Sequence, residues 1–350
     1  MAKREEEKAV SGFRKLKQDL KQHSLQRGYV LYGEEAYLRE TYFEQIKKEL
    51  LKGPAADLNY HRFHKENIAW EQVVDAVEAF PMMAERTLVQ IEDINFYKAS
   101  EADMKYICGI LEDIPEHCCL VFTYGDGFER DKRKKKLDTL VEENLCLVEF
   151  PKQSVTDLSA WVRRHVKAEG KEITDANCQL LCFRTGNSMT TMASEIPKLC
   201  AYASGAEIQK QDIETLVEPV LDAVVYDITN AIALREFDTA ILRLHQVLRM
   251  QEEPIAILGA IGSNLRRTYC AKVLLQRGKG SEGLMQLTGL RSEYAAKKTM
   301  EAARRVSVEF CQKALLASMR TDYALKNSVD DPQRLLELFL IQLAQEAQCD

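Results

Sequence analysis

Residues 29–40, YVLYGEEAYLRE, decide the fold. Tyr29 to Tyr32 form a short apolar run into Gly33, and a helix opening with Ala36, Tyr37 and Leu38 follows. Strand, glycine and helix in that order are the setting of a phosphate-binding loop. A working loop needs Gly-x-x-x-x-Gly-Lys-Ser/Thr, so that backbone N–H groups wrap the phosphates, the lysine neutralises them and the hydroxyl holds Mg²⁺. Laid over that template from Gly33, the second glycine becomes Leu38, the lysine Arg39 and the hydroxyl residue Glu40. Glu34 and Glu35 add negative charge where a triphosphate would lie, and like charges in a partly desolvated loop repel strongly. The stretch reads as a phosphate loop without its chemistry. The plainer alternative is an ordinary strand-to-helix turn whose carboxylates suit the positive end of a helix.

Outward from this stretch, strand and helix signals alternate. Strands are expected at Asn59–Phe63, Thr87–Ile91, Cys118–Tyr124 and Leu145–Phe150, and helices at Ala36–Leu51, Trp70–Phe80, Ala102–Leu111 and Leu137–Glu143. Such alternation predicts a mostly parallel sheet covered on both faces. The pattern changes at Pro151, after which helices dominate. Thr156 and Thr174 are expected to cap the first two. A third, from about Met189 to Tyr202, is expected to kink at Pro197. Glu218–Pro219 reads as a linker, and from Leu221 the chain is helical to its end, with Pro254 in the first turn of a helix reaching about Gln276.

Composition narrows the function classes. The 350 residues suffice for two or three domains with real cores. A net charge of −6 argues against whole-surface binding to nucleic acid, though a local basic patch stays open. The charged start, MAKREEEKAV, has no signal-peptide core, and no apolar run is long enough to span a membrane, so a cytoplasmic protein is expected. The ten cysteines contain no Cys-x-x-Cys pair and read as reduced core thiols, with no metal or cofactor expected. His61, His64 and His117 read as surface or satisfied histidines.

Several longer strings carry a family resemblance. LVFTYGDGFERDKRKKKLDTL (120–140), LSAWVRRHVKAEGKEITDAN (158–177), EEPIAILGAIGSNLRR (252–267) and above all TDYALKNSVDDPQRLLELFLIQL (321–343) resemble the delta-subunit family of bacterial DNA polymerase III, a family of AAA+-like clamp-loader subunits. The likeness runs over nearly the whole chain. It implies an α/β AAA+-like domain with a RecA-type parallel sheet (1–151), a small helical lid (152–218) and an all-α collar for oligomerisation (219–350). The ATPase subunits of such loaders carry an intact phosphate loop and a four-cysteine zinc module, and they and delta-prime carry a Ser-Arg-Cys motif. All three are missing here.

The resemblance implies a subunit that binds the ring-shaped sliding clamp and springs one interface, so that the ring passes around primed DNA during replication. It also implies partnership with the ATPase subunits and delta-prime, no catalysis by the chain itself within the polymerase holoenzyme, and contact with primer-template DNA through the complex. The clamp-binding element matches EAFPMMAERTLV (78–89), with Phe80 beside a plug pair at Met82 and Met83, where the family often shows Leu and Phe. Alternatively, Met82 and Met83 close the core at a helix end.

The run RDKRKKK is the strongest basic cluster: Arg130, Lys132, Arg133, Lys134, Lys135 and Lys136 are candidates for sequence-blind phosphate contacts, or else a solvated loop. Glu92 and Asp93 faintly echo an acidic nucleotide-site pair and read as strand-end solvation. Two rival functions remain open at this point: a divergent ATPase using Arg39, and a helical interaction scaffold unrelated to replication.

Overall fold

The computed structural model describes residues 2–53, 55–125, 128–290 and 292–348, without the side chains of 2–11 and 67. The chain forms two compact units, 1–153 and 154–350. In the first, the elements run α1 (Ala2–Lys21), β1 (Gly28–Tyr32), α2 (Ala36–Leu50), β2 (Tyr60–His64), α3 (Trp70–Glu78), β3 (Thr87–Glu92), α4 (Glu101–Glu112), β4 (Cys118–Thr123), α5 (Lys135–Asn144) and β5 (Cys146–Glu149). The five strands make one all-parallel sheet in the order β2-β3-β4-β1-β5, the parallel sheet expected of an AAA+-like domain.

Alternation along each strand builds two cores from one sheet, because successive side chains point to opposite faces. Val30, Val89, Ile91, Leu120 and Phe122 pack with residues of α3, α4 and α5. Tyr29, Leu31, Leu88, Cys119 and Val121 pack on the other face with Leu16 of α1 and with Phe43 and Ile46 of α2. Burial raises the Cys118 thiol to about 11 and that of Cys119 to about 12, so both stay protonated, as expected for inert core thiols.

Helix α1 is not in the sequence expectations. It lies along β5 so closely that a Cβ at Gly12 would collide with the Leu147 carbonyl. The Tyr29 hydroxyl donates to Asp19 at 2.8 Å and ties α1 to the sheet. Helix α3 stops at Glu78, two residues short of expectation: Ala79 is already extended at φ −64° and ψ 131°, and Pro81 disfavours a helical conformation for Phe80 after it.

The second unit runs α6 (Val155–Ala168), β6 (Glu172–Ile173), α7 (Asp175–Arg184), α8 (Met189–Tyr202), β7 (Glu207–Ile208), α9 (Lys210–Leu216), α10 (Leu221–Ala233), α11 (Phe237–Arg249), α12 (Pro254–Gln276), α13 (Ser281–Thr288), α14 (Glu293–Arg304), α15 (Val308–Asn327) and α16 (Pro332–Gln348). Ser154 rather than Thr156 caps α6, its hydroxyl accepting from the Asp157 amide at 3.2 Å; Thr174 does cap α7. Helix α8 continues through Pro197, with Met192, Ile196, Leu199 and Cys200 buried on either side of the proline. The short β6–β7 pairing was not expected. The expected boundary at 218/219 falls inside this unit, where the Arg184 guanidinium donates to the Val217 carbonyl at 2.8 Å. Beyond it, α10, α11, α12, α15 and α16 enclose a core around Ile228, Leu244, Ile261, Phe310 and Phe339.

Candidate functional site

The loop after β1 is shorter than a phosphate loop. Only Glu34 and Glu35 separate Gly33 from the first helical residue, Ala36. Gly33 has φ +123°, a region that L side chains rarely adopt, and a Cβ there would run into the Phe150 carbonyl. The loop's own bonds are internal. The Phe150 amide donates to Tyr32 O at 2.7 Å, and the Glu35 amide donates to Phe150 O at 3.0 Å. Arg39 folds back and donates from Nη1 to the Gly33 carbonyl at 2.7 Å. Leu38 packs toward the core below, while Glu40 is exposed. Glu35 is buried, and desolvation raises its carboxyl above the ordinary range.

A cavity of about 250 Å³ beside the loop is lined by Arg39, Glu40, Arg62, His64, Glu92 and Asp93. Arg62 is paired with Glu92 at 2.8 Å, and Asp93 accepts from the Gly125 amide at 3.3 Å. Three carboxylates thus face two guanidiniums, an unfavourable setting for a polyanion.

The segment after α3 is the opposite case, because it turns its apolar groups outward. Phe80 is 82% exposed, Met82 58% and Met83 88%. Large apolar side chains rarely cluster in water on a monomer without a partner. Leu58, 60% exposed on the turn before β2, adds a fourth. The Phe80 ring stacks on His117 with centroids 4.6 Å apart.

The backbone of this segment is fixed by one buried side chain. Asn59 accepts from the Met82 amide at 2.6 Å through Oδ1 and donates to the Met82 carbonyl at 2.9 Å through Nδ2, which also reaches the Ala55 carbonyl. Met83 follows in the left-handed region at φ +54°, uncommon for a large side chain. Behind it, Arg86 donates to the carbonyls of Leu25, Gln26 and Cys118. The main chain is therefore held while the methionine side chains are not. Sequence reading placed Asn59 in a strand and passed over Leu58. An asparagine at a turn signals a side-chain-to-backbone bond, but a partner 23 residues away leaves no local trace.

The basic run is divided. Arg130 turns inward, to Asp138 at 2.6 Å and Glu142 at 3.0 Å. Arg133 pairs with Asp131, and Lys136 with Glu112, each at 2.8 Å. Lys132 and Lys135 are exposed. Lys134, Lys135 and Lys136 rim a cleft of about 750 Å³ floored by Met104 and Cys108. Among the described residues, no three His, Cys, Asp or Glu side chains converge as a metal site, and no helix is long and apolar enough to cross a membrane.

Two family models match this chain. One, described as the DNA polymerase III delta subunit, matches residues 29–151; the other, described as the C-terminal domain of that subunit, matches 222–343. The chain is 25% identical over 320 residues to the DNA polymerase III subunit delta of Bacillus subtilis (strain 168), covering 90% of this chain and 92% of that protein. A solved structure of the Bacillus subtilis DNA clamp loader delta protein aligns over 95% of this chain and 99% of that one. Its TM-score is 0.58 at 23% identity, a likeness of fold.

Proposed function

The chain belongs to the DNA polymerase III delta-subunit family, and from that premise we propose that it grips the sliding clamp through Phe80, Met82 and Met83 and so favours the opened ring. In this reading the ATPase subunits and delta-prime are its neighbours in the loader. The observation that carries it is the exposed apolar tip on a backbone pinned by Asn59. Opening needs no covalent chemistry. A subunit that binds an opened edge better than a closed ring shifts the ring toward open, by as much as the two affinities differ. Titrating the full chain against its cognate clamp tests this directly. A complex with Kd on the order of 1 µM or tighter is expected, and no binding at fifty times that concentration would reject the assignment.

Asn59 makes a second test, because it touches no partner in this reading. Asn59→Ala leaves the Met82 amide and carbonyl without their bonds, each worth about 1 kcal/mol net. Clamp affinity should fall about tenfold as the tip loses its fixed shape. An affinity unchanged in a folded Asn59→Ala variant would show that the bracket does not matter for binding.

The same reading gives the chain no use of ATP. The two-residue loop, the committed Glu35 amide and the Arg39–Gly33 bond support this. Arg39 also forks differently from a phosphate-loop lysine. Equilibrium titration with labelled ATP should show no saturable binding below about 1 mM, against the micromolar affinity of a working cradle. Micromolar binding abolished by Arg39→Ala would instead favour the divergent-ATPase reading.

A further inference from the structure

We propose that Met82 and Met83 form a peroxide-sensitive switch, in which oxidation of their thioethers to sulfoxides releases the chain from its clamp. The inference rests on the clamp-binding reading above and adds a modification chemistry to it. Solvent access selects the pair: Met82 and Met83 are 58% and 88% exposed, whereas Met189, Met192 and Met300 are at most 6% exposed. Met319, at 69%, lies in the other unit and serves as an internal control.

The reaction is balanced with a hydroperoxide as oxidant. A sulfur lone pair attacks one peroxide oxygen, the O–O bond breaks and an S–O bond forms. Sulfur loses two electrons, and the second oxygen leaves as water, or as an alcohol from an organic peroxide, after taking the proton. No protein base or cofactor is consumed. The product is polar and chiral, with an oxygen that demands hydrogen bonds. An apolar pocket that accepts a thioether penalises that oxygen.

The geometry confines the effect to binding. Asn59 holds the Met82 main chain from both sides, and neither methionine side chain is buried in its own unit. Oxidation should therefore leave the fold intact. It should be blocked while the clamp covers the tip, and it is open to reversal by methionine sulfoxide reductases.

The experiment uses the full chain and hydrogen peroxide, with oxidation followed residue by residue by peptide mass spectrometry and clamp affinity measured before and after. The expected result is early oxidation of Met82, Met83 and Met319, late oxidation of Met189 and Met192, and an affinity loss of about a hundredfold that the reductases restore. Met319→Leu should remain fully sensitive. Met82→Leu with Met83→Leu should show the same affinity before and after peroxide, whatever value it starts from. Complete oxidation at both positions with unchanged affinity overturns the switch, as does a loss that persists in the double leucine variant. Failure of the untreated chain to bind the clamp overturns the clamp-binding reading itself, and is seen before any oxidant is added.

Discussion

Replacing Met82 and Met83 together with serine is expected to weaken clamp binding by about a hundredfold or more, with the melting temperature held near that of the parent. Burying a methionine side chain is worth roughly 1.5–3 kcal/mol. Two of them, lost from an interface, exceed the 2.7 kcal/mol or so that corresponds to a hundredfold in Kd. Methionine also adapts to irregular grooves, which suits a plug. The fold should hardly notice, because both side chains are more than half exposed and the backbone beneath them is fixed by Asn59. Surface changes of this kind usually alter stability by no more than about 0.5 kcal/mol. Circular dichroism melts beside a binding titration separate the outcomes. A steep drop in melting temperature would mean that the pair closes the core of its own unit.

Gly33→Ala is expected to act in the opposite way, on stability alone. At φ +123° an alanine is strained, and its Cβ would press on the Phe150 carbonyl between β1 and β5. Strained backbone costs about 1–3 kcal/mol and overpacking a similar amount, so a loss of about 3 kcal/mol is reasonable. For a unit of this size that lowers the melting temperature by about 10 °C. In a working phosphate loop the same change would be felt first in nucleotide affinity. A melt unchanged by Gly33→Ala would return the glycine to a ligand-binding explanation.

Much of the first unit was legible because parallel strands buried on both faces leave short, nearly continuous apolar runs, and CCLVFTY is the plainest of them. The turn after Tyr32 could be read as lacking phosphate chemistry from residue types alone. Its shortness is legible too, because the helix expected from Ala36 leaves only Glu34 and Glu35 after Gly33, and α2 begins there; the bonds of Phe150 and Arg39 that close the turn are not. Helix α1 had a signal that was passed over, since Phe13, Leu16 and Leu20 recur at helical spacing after the charged MAKREEEKAV; its seat, with Gly12 against a strand more than 130 residues away, leaves no local trace. The span of α8 was legible with Pro197 inside it; that buried residues on both sides of the proline hold the helix in tertiary contact was not. The basic run looked uniform as text. Folding spends Arg130, which lies just before α5, on Asp138 and Glu142, one turn apart on that helix, a choice that charge counting cannot make.

The Asn59 bracket has a consequence for how such a subunit can diverge. It grips only amide and carbonyl groups, which every residue at position 82 except proline supplies alike. The tip is thus a socket whose shape is independent of the knob set into it. Under the clamp-binding reading proposed above, substitutions at 82 can follow drift in the receiving ring without first renegotiating the folding of the domain that displays them, whereas the positive φ of Met83 disfavours β-branched residues at 83.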